Sequence, residues 1–244
     1  KTKAEEVLQA VDKQTGRIDD IKIEQKTQRP PMLHSLSTLQ AKLNKKYKLS
    51  PSKILETVQS LYEKGYTSYP RSEFQHLPEA EANDLPKVLD ALGQIDNYTE
   101  LIQNREKHSL VGDKRFVDDA KVGDHYAIIP TCQTPNLDSF TQDEKNVYDE
   151  IVKSIIAAHY SDHNYNQTTV KTKVNDYFFF SKGKQITNDG WKSVFGKQTE
   201  DESSDDQDDQ QLPSSLEKGN AVQTSAQLKD GVTKPPKAYT EGQL

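Results

Sequence analysis

Leu61 to Glu73 reads Leu-Tyr-Glu-Lys-Gly-Tyr-Thr-Ser-Tyr-Pro-Arg-Ser-Glu, and within it Tyr69, Pro70 and Arg71 have the side chains needed to present a nucleophile to a phosphate. A free phenol titrates near ~10, so only about one in a thousand is phenolate at neutral pH; a tyrosine nucleophile therefore needs help at its target. A guanidinium supplies part of that help, because its planar donors meet phosphoryl oxygens as negative charge gathers on them. If the segment is extended, positions i and i+2 leave the same face, so Tyr69 and Arg71 can address one group together. On its own the triplet reads more simply as a strand aromatic beside a surface charge.

Two helices stand upstream to position it. Leu33, Leu36, Leu39 and Leu43 form one helical stripe. A second helix starts with Ser50 as N-cap and Pro51 in its first turn, lines up Ile54, Leu55, Val58, Leu61 and Tyr62 on one side, and is closed by Gly65. Two short helices followed by a strand bearing Tyr69 predict a winged-helix-like unit, opened by the double proline at 30 and 31. Ahead of it, Ala4, Val7, Leu8 and Val11 recur at helical spacing, and Arg17 to Gln25 reads as extended. Behind it, a helix runs from Pro78 to about Ala82, Pro86 opens another that Gly93 stops, and Ile95 to Arg105 continues as a third. Thr141 with Glu144 makes a capping box for a long helix through Ile156, ending near Tyr160. The period then becomes two: Thr168–Val174 and Tyr177–Phe180 read as strands with a turn through Lys182-Gly183-Lys184, and Ala221–Leu228 as a further strand. The class is α+β. A mainly helical domain, 31–137, is inserted into a discontinuous β-rich domain made of 1–30 and 138–230, and 231–244 begins a following domain or tail.

Three ordered blocks give the triplet a context. Gln59-Ser60-Leu61-Tyr62-Glu63, Gly65 and Thr67-Ser68-Tyr69-Pro70-Arg71-Ser72-Glu73 together resemble the active-site signature of type IA DNA topoisomerases, in particular the topoisomerase III branch. His125-Tyr126-Ala127-Ile128-Ile129-Pro130-Thr131 is similar to the family's His-x-Ala-Ile-x-Pro-Thr motif. Pro30-Pro31 with Leu36-Ser37-Thr38-Leu39-Gln40 resembles the helix that opens its tyrosine domain, and Glu144 to Ile156 with Gly190-Trp191 its return into the next domain. The resemblance implies that Tyr69 attacks a phosphate of single-stranded DNA to give a 5′-phosphotyrosine and a free 3′-hydroxyl, without ATP. It also implies that Arg71 stabilises the pentavalent state and that His125 aligns a phosphate, both touching DNA. The β-rich part would be the arch of the strand-passage gate. Magnesium belongs to an acidic Toprim domain that these residues do not include, so a monomeric central fragment inactive in cleavage by itself is expected. The alternative reading is a winged-helix module that binds single-stranded nucleic acid without chemistry, Tyr69 serving as a stacking platform.

Composition bounds these readings. No apolar run approaches the ~20 residues of a membrane span, and the single cysteine, Cys132, rules out an internal disulfide and suits a reducing cytoplasm. As a small residue after an apolar strand, Cys132 is expected to be buried. The formal charge of −6 hides an uneven distribution: Glu200 to Gln211 holds seven carboxylates and no base, so the rest of the chain carries +1. That run is expected to be a mobile loop, 197–212, and its serine-rich character gives no rigid metal site. Lys1 to Lys64 has thirteen bases against eight acids, with Lys42, Lys45, Lys46, Tyr47 and Lys48 clustered as a solvated face or a phosphate contact. His34, His76, His108, His159 and His163 fit structural or surface roles. Thr233-x-Pro235-Pro236 weakly echoes Thr27-x-x-Pro30-Pro31, and the resemblance to the topoisomerases implies that a second domain of the same kind would begin there.

Overall fold

The computed structural model describes residues 2–196, 212–213, 215–233 and 235. Nearly all of the acidic run, and most of the segment after Thr233, lie outside the described residues. The chain divides into two compact units. Its elements in order are α1 (Thr2–Val11), β1 (Thr15–Gln28), α2 (Leu36–Tyr47), α3 (Pro51–Glu63), α4 (Glu79–Leu92), α5 (Asp96–Gln103), α6 (Gln142–Ala158), β2 (His163–Val174), β3 (Tyr177–Asn188) and β4 (Ala221–Gln223).

The first unit takes 1–28, 163–189 and the described residues beyond 197. Its four strands form an antiparallel sheet in the order β3-β2-β1-β4. β2 and β3 are longer than the sequence suggests, and the turn between them is Asn175-Asp176, where Asn175 adopts φ +53° and Val174 faces Tyr177. Lys182-Gly183-Lys184, expected as a turn after Phe180, instead lies in mid-strand against Gln167 to Thr169. An Asn-Asp pair suits the left-handed backbone of a tight hairpin, and it falls in the gap that the sequence leaves between the two strands. Strand β4 stops at Gln223 rather than Leu228. One face of the sheet buries Ile18, Val170 and Val174.

The second unit takes 29–162 and 190–196. Leu39 and Leu43 of α2, Ile54, Val58 and Leu61 of α3, and Val147, Ile151 and Ile155 of α6 meet in one core at 0% exposure. Each such side chain contributes about 1.5–3 kcal/mol on leaving water. Helix α6 is buried on most of its circumference and packs on α3 and on the 3₁₀ turn Gly190–Phe195. It therefore clusters with the helical unit, whereas the sequence reading grouped 138–230 with the sheet. Helix α4 runs unbroken through Pro86, where two helices were expected. Ala82, Leu85, Leu89 and Leu92 keep one buried stripe across the proline, and their packing offsets the hydrogen bond that proline cannot make. Cys132 is exposed, contrary to expectation, because it follows the last buried residue of its segment, Pro130, by two positions.

Among the described residues no helix is long and apolar enough to cross a membrane.

Candidate active site

The segment that carries Tyr69 is shaped first by the end of α3. Gly65, at φ +81°, donates to the Tyr62 carbonyl (2.8 Å) and Tyr66 N–H donates to the Leu61 carbonyl (2.9 Å). This crossed pair of bonds ends the helix and turns the chain sharply, which a left-handed glycine allows without strain. The chain then runs beside residues 127–131. Thr67 bridges Pro130, Ser68 N–H donates to the Ile129 carbonyl (2.9 Å), and Thr131 N–H donates to the Tyr66 carbonyl (3.1 Å).

Two serines bracket Tyr69. Ser68 Oγ donates to the Ala127 carbonyl (3.0 Å) and accepts from Ile129 N–H (2.9 Å). The Ser72 carbonyl accepts from Leu36 N–H (2.9 Å), and Ser72 Oγ accepts from Phe74 N–H (3.2 Å). Tyr69, Pro70 and Arg71 are what projects between these anchors. Pro70 and Arg71 form a turn, so the expected extended strand is reduced to the Thr67–Pro130 bridge and strand alternation does not set where Arg71 points. Arg71 is exposed, Pro70 buried and Tyr69 half-buried.

His125 is 56 positions from Tyr69 in sequence and in ring contact with it. The rings stack at 4.0 Å between centroids and 23° between planes. Near-parallel stacking sets the imidazole nitrogens beside the phenol ring, not in line with its O–H. His125 is thus placed to fix the ring and to offer an N–H to an anion, and is badly placed to take the phenol proton. Tyr62 closes the other approach, its ring meeting Tyr69 edge-on at 5.6 Å and 90°. The sequence counted Tyr62 in the apolar stripe of α3, yet at 39% exposure it belongs to the site. Its one sequence signal is its place inside the Gln59 to Glu73 block.

Tyr126, next to His125, is not a competing nucleophile: burial and the nearby Glu81 carboxylate push its phenol up to about 12.

Two carboxylates hold the frame. Glu144 completes the capping box of α6 with Thr141, accepts from Ser60 Oγ of α3 (3.2 Å) and pairs with Lys64. The Lys64 ammonium holds its carboxyl at about 2. Glu150, 1% exposed, lies 2.6 Å from Lys42 Nζ, 3.5 Å from His34 Nε2 and 3.7 Å from Lys46 Nζ. Burial pushes Glu150 up, but His34 and Lys42 outweigh it and hold it at about 2. Lys42 and Lys46, expected as a phosphate contact or a solvated face, thus face an internal carboxylate. His34 is structural, and its carbonyl also accepts from Ile128 N–H (2.8 Å), tying the start of α2 to the His125 segment.

Among the described residues no three His, Cys, Asp or Glu side chains converge as a cation site. The side chains around Tyr69 do not fit a divalent ion.

The family model described as DNA topoisomerase matches residues 1–244. The chain is 34% identical to DNA topoisomerase 1 of Alkalihalophilus pseudofirmus over 99% of its own length and 33% of that protein's. It is 33% identical to DNA topoisomerase 3 of Bacillus cereus strain ZK / E33L over 100% of its length and 34% of the relative's. The chain therefore spans about a third of the length of the curated relatives it matches. Among solved structures, full-length topoisomerase I from Thermotoga maritima superposes with a TM-score of 0.65 at 20% identity, covering 91% of this chain and 35% of that one, and so shares the α+β fold. With a family model covering every residue, this chain belongs to the type IA DNA topoisomerases.

Proposed function

We propose that this chain carries the nucleophile of the single-strand gate in a type IA DNA topoisomerase, with Tyr69 as the attacking residue. The phenol oxygen of Tyr69 forms a bond to a backbone phosphorus of single-stranded DNA, and the bond from phosphorus to the 3′-oxygen breaks. The phenol proton leaves to solvent and the departing 3′-oxygen gains one. The phosphoester bond is exchanged rather than hydrolysed, so attack by the 3′-hydroxyl reverses the step without ATP. Arg71, exposed on the turn, donates to the non-bridging oxygens as charge builds. His125 holds the Tyr69 ring by stacking and offers a ring N–H to the same or a neighbouring phosphate. The sheet unit serves as part of the arch that moves to let a second strand pass, and the carboxylates that hold magnesium come from the acidic Toprim domain of the parent protein. A monomer in the cytoplasm fits this work.

The observation that carries the reading is the stack of His125 on Tyr69 at 4.0 Å, which unites two blocks far apart in sequence. Its test is covalent trapping. This chain, incubated with labelled single-stranded DNA and magnesium, should yield no adduct; linked to the acidic amino-terminal region of a relative, it should yield a protein–DNA adduct that Tyr69→Phe abolishes. An adduct retained in Tyr69→Phe would reassign the nucleophile. An adduct formed by the isolated chain and lost in Tyr69→Phe would show that the acidic domain is dispensable. Salt-sensitive strand binding with no adduct in either form would support a binding module instead.

A further inference from the structure

The two faces of the sheet differ in kind. In an antiparallel ladder, residues directly opposite share a face, and along each strand every second residue does. One face buries Ile18, Val170 and Val174, with Phe179 and Ile23 exposed towards its margins. On the other, β1 presents Arg17, Lys22 and Lys26, opposite Lys173, Thr169 and Tyr165 of β2. Strand β2 adds Lys171, and β3 adds Lys182 and Lys184, opposite Thr169 and Gln167. Against these seven cations stand Asp20, Glu24 and the bulged Asp19, which pairs with Lys171 at 2.8 Å.

Aromatic rings are set among the cations. Phe178 lies opposite Lys173 and Phe180 opposite Lys171, with exposures of 47% and 67%. Lys171 Nζ sits 4.0 Å from the Phe178 ring centre and Lys184 Nζ 4.6 Å from that of Tyr165. Along β3 the order on this face is Phe178, Phe180, Lys182, Lys184. Steps of about 6.7 Å make that row roughly 20 Å long, enough for several nucleotides. Exposed phenylalanines in mid-strand invite aggregation unless something covers them. Rings set opposite ammonium groups across the ladder match a ligand with flat apolar faces on a polyanionic backbone.

We infer that this face of β1, β2 and β3 is a seat for single-stranded nucleic acid, in which bases stack on Phe178, Phe180 and Tyr165 while lysines of β2 and β3 follow the phosphates. The inference concerns a site other than Tyr69 and uses no step of its chemistry.

The test is anisotropy of a labelled oligothymidylate titrated with the full chain across a salt series. Lys173→Glu with Lys182→Glu should weaken binding at least tenfold and reduce the logarithmic salt slope by about 1.4, two contacts at roughly 0.7 each. Phe178→Ala with Phe180→Ala should weaken it about tenfold while leaving the slope unchanged. Iodouracil cross-linking of the unmutated chain should map to β2 and β3, which guards against a misfolded variant. Cross-links confined to the Tyr69 and His125 segments would overturn this proposal and leave the cleavage reading standing. Loss on charge reversal with no loss on aromatic removal would also overturn it, as would equal affinity for duplex DNA, since either marks plain polyanion attraction. Failure of Tyr69-dependent trapping with sheet cross-links intact would do the reverse, sinking the cleavage reading alone.

Discussion

Tyr69 is held by faces and edges, with no hydrogen bond needed at its hydroxyl to fix the ring. Tyr69→Phe keeps both ring contacts and should change unfolding free energy by less than about 0.5 kcal/mol, so a loss of adduct in that variant reports chemistry. His125 can be divided in the same way. His125→Phe preserves a ring for stacking and removes the nitrogens, whereas His125→Ala removes both. If the nitrogens serve the phosphate, single-turnover adduct formation in the linked protein should fall about a hundredfold in both variants. Near-normal rates in His125→Phe with a deficit in His125→Ala would reduce the residue to a ring support. The meeting of Tyr69 and His125 was legible because each stands in a recognisable block. Tyr62 was not, because helical spacing tells which side chains share a face but not where the core ends.

Turn chemistry decides how well the elements could be foreseen. Gly65 was readable as a helix stop, since a glycine after an amphipathic run has one common use there. The break between Val174 and Tyr177 was legible, whereas Gly183 and Pro86 mark no break: the pattern on either side of each runs across it. The stripe Ala82, Leu85, Leu89, Leu92 continues past Pro86, and alternation in β3 continues past Gly183. Two glycines allow a comparison. A Cβ at Gly65 would meet only Gln133 Oε1, at 2.5 Å, the movable end of a side chain. A Cβ at Gly190 would meet the carbonyl oxygens of Ser161 and Asp162, each at 2.5 Å, and backbone cannot step aside so cheaply. Both have positive φ. Gly65→Ala should therefore cost about 1–2 kcal/mol from backbone strain, and Gly190→Ala more. Urea unfolding of the two variants checks the order. Equal losses would mean that the local chain relaxes around Gly190.

At the scale of the whole molecule, acid should lower the stability of the helical unit over two pH windows. Burial, with Arg105 and Lys107 nearby, brings His159 down to about 4 from 6.5. The unfolded imidazole takes up a proton that the folded one refuses, so stability is full above about pH 6.5 and declines as pH falls towards about 4. Glu150 and Glu144 are held at about 2 from 4.5, so their contribution is present above about pH 4.5 and is lost as pH falls towards about 2. Urea midpoints measured from pH 7.5 to 2.5 should show both declines, and Glu150→Gln should flatten the lower one; a curve level down to pH 4 would remove His159 from the account. That coupling was hidden in the sequence, where Glu150 lies about a hundred positions beyond Lys42 and Lys46 and all three look like surface charges. The anchors at Ser68 reach as far in the other direction. Its bonds to Ala127 and Ile129 span 59 and 61 residues, so the α2–α3 pair can form early while Tyr69 gains its final position only when the later segment arrives. During synthesis from the amino terminus, Tyr69 exists long before its surroundings do, and a chain halted short of Ile129 would hold its ring in no defined pose.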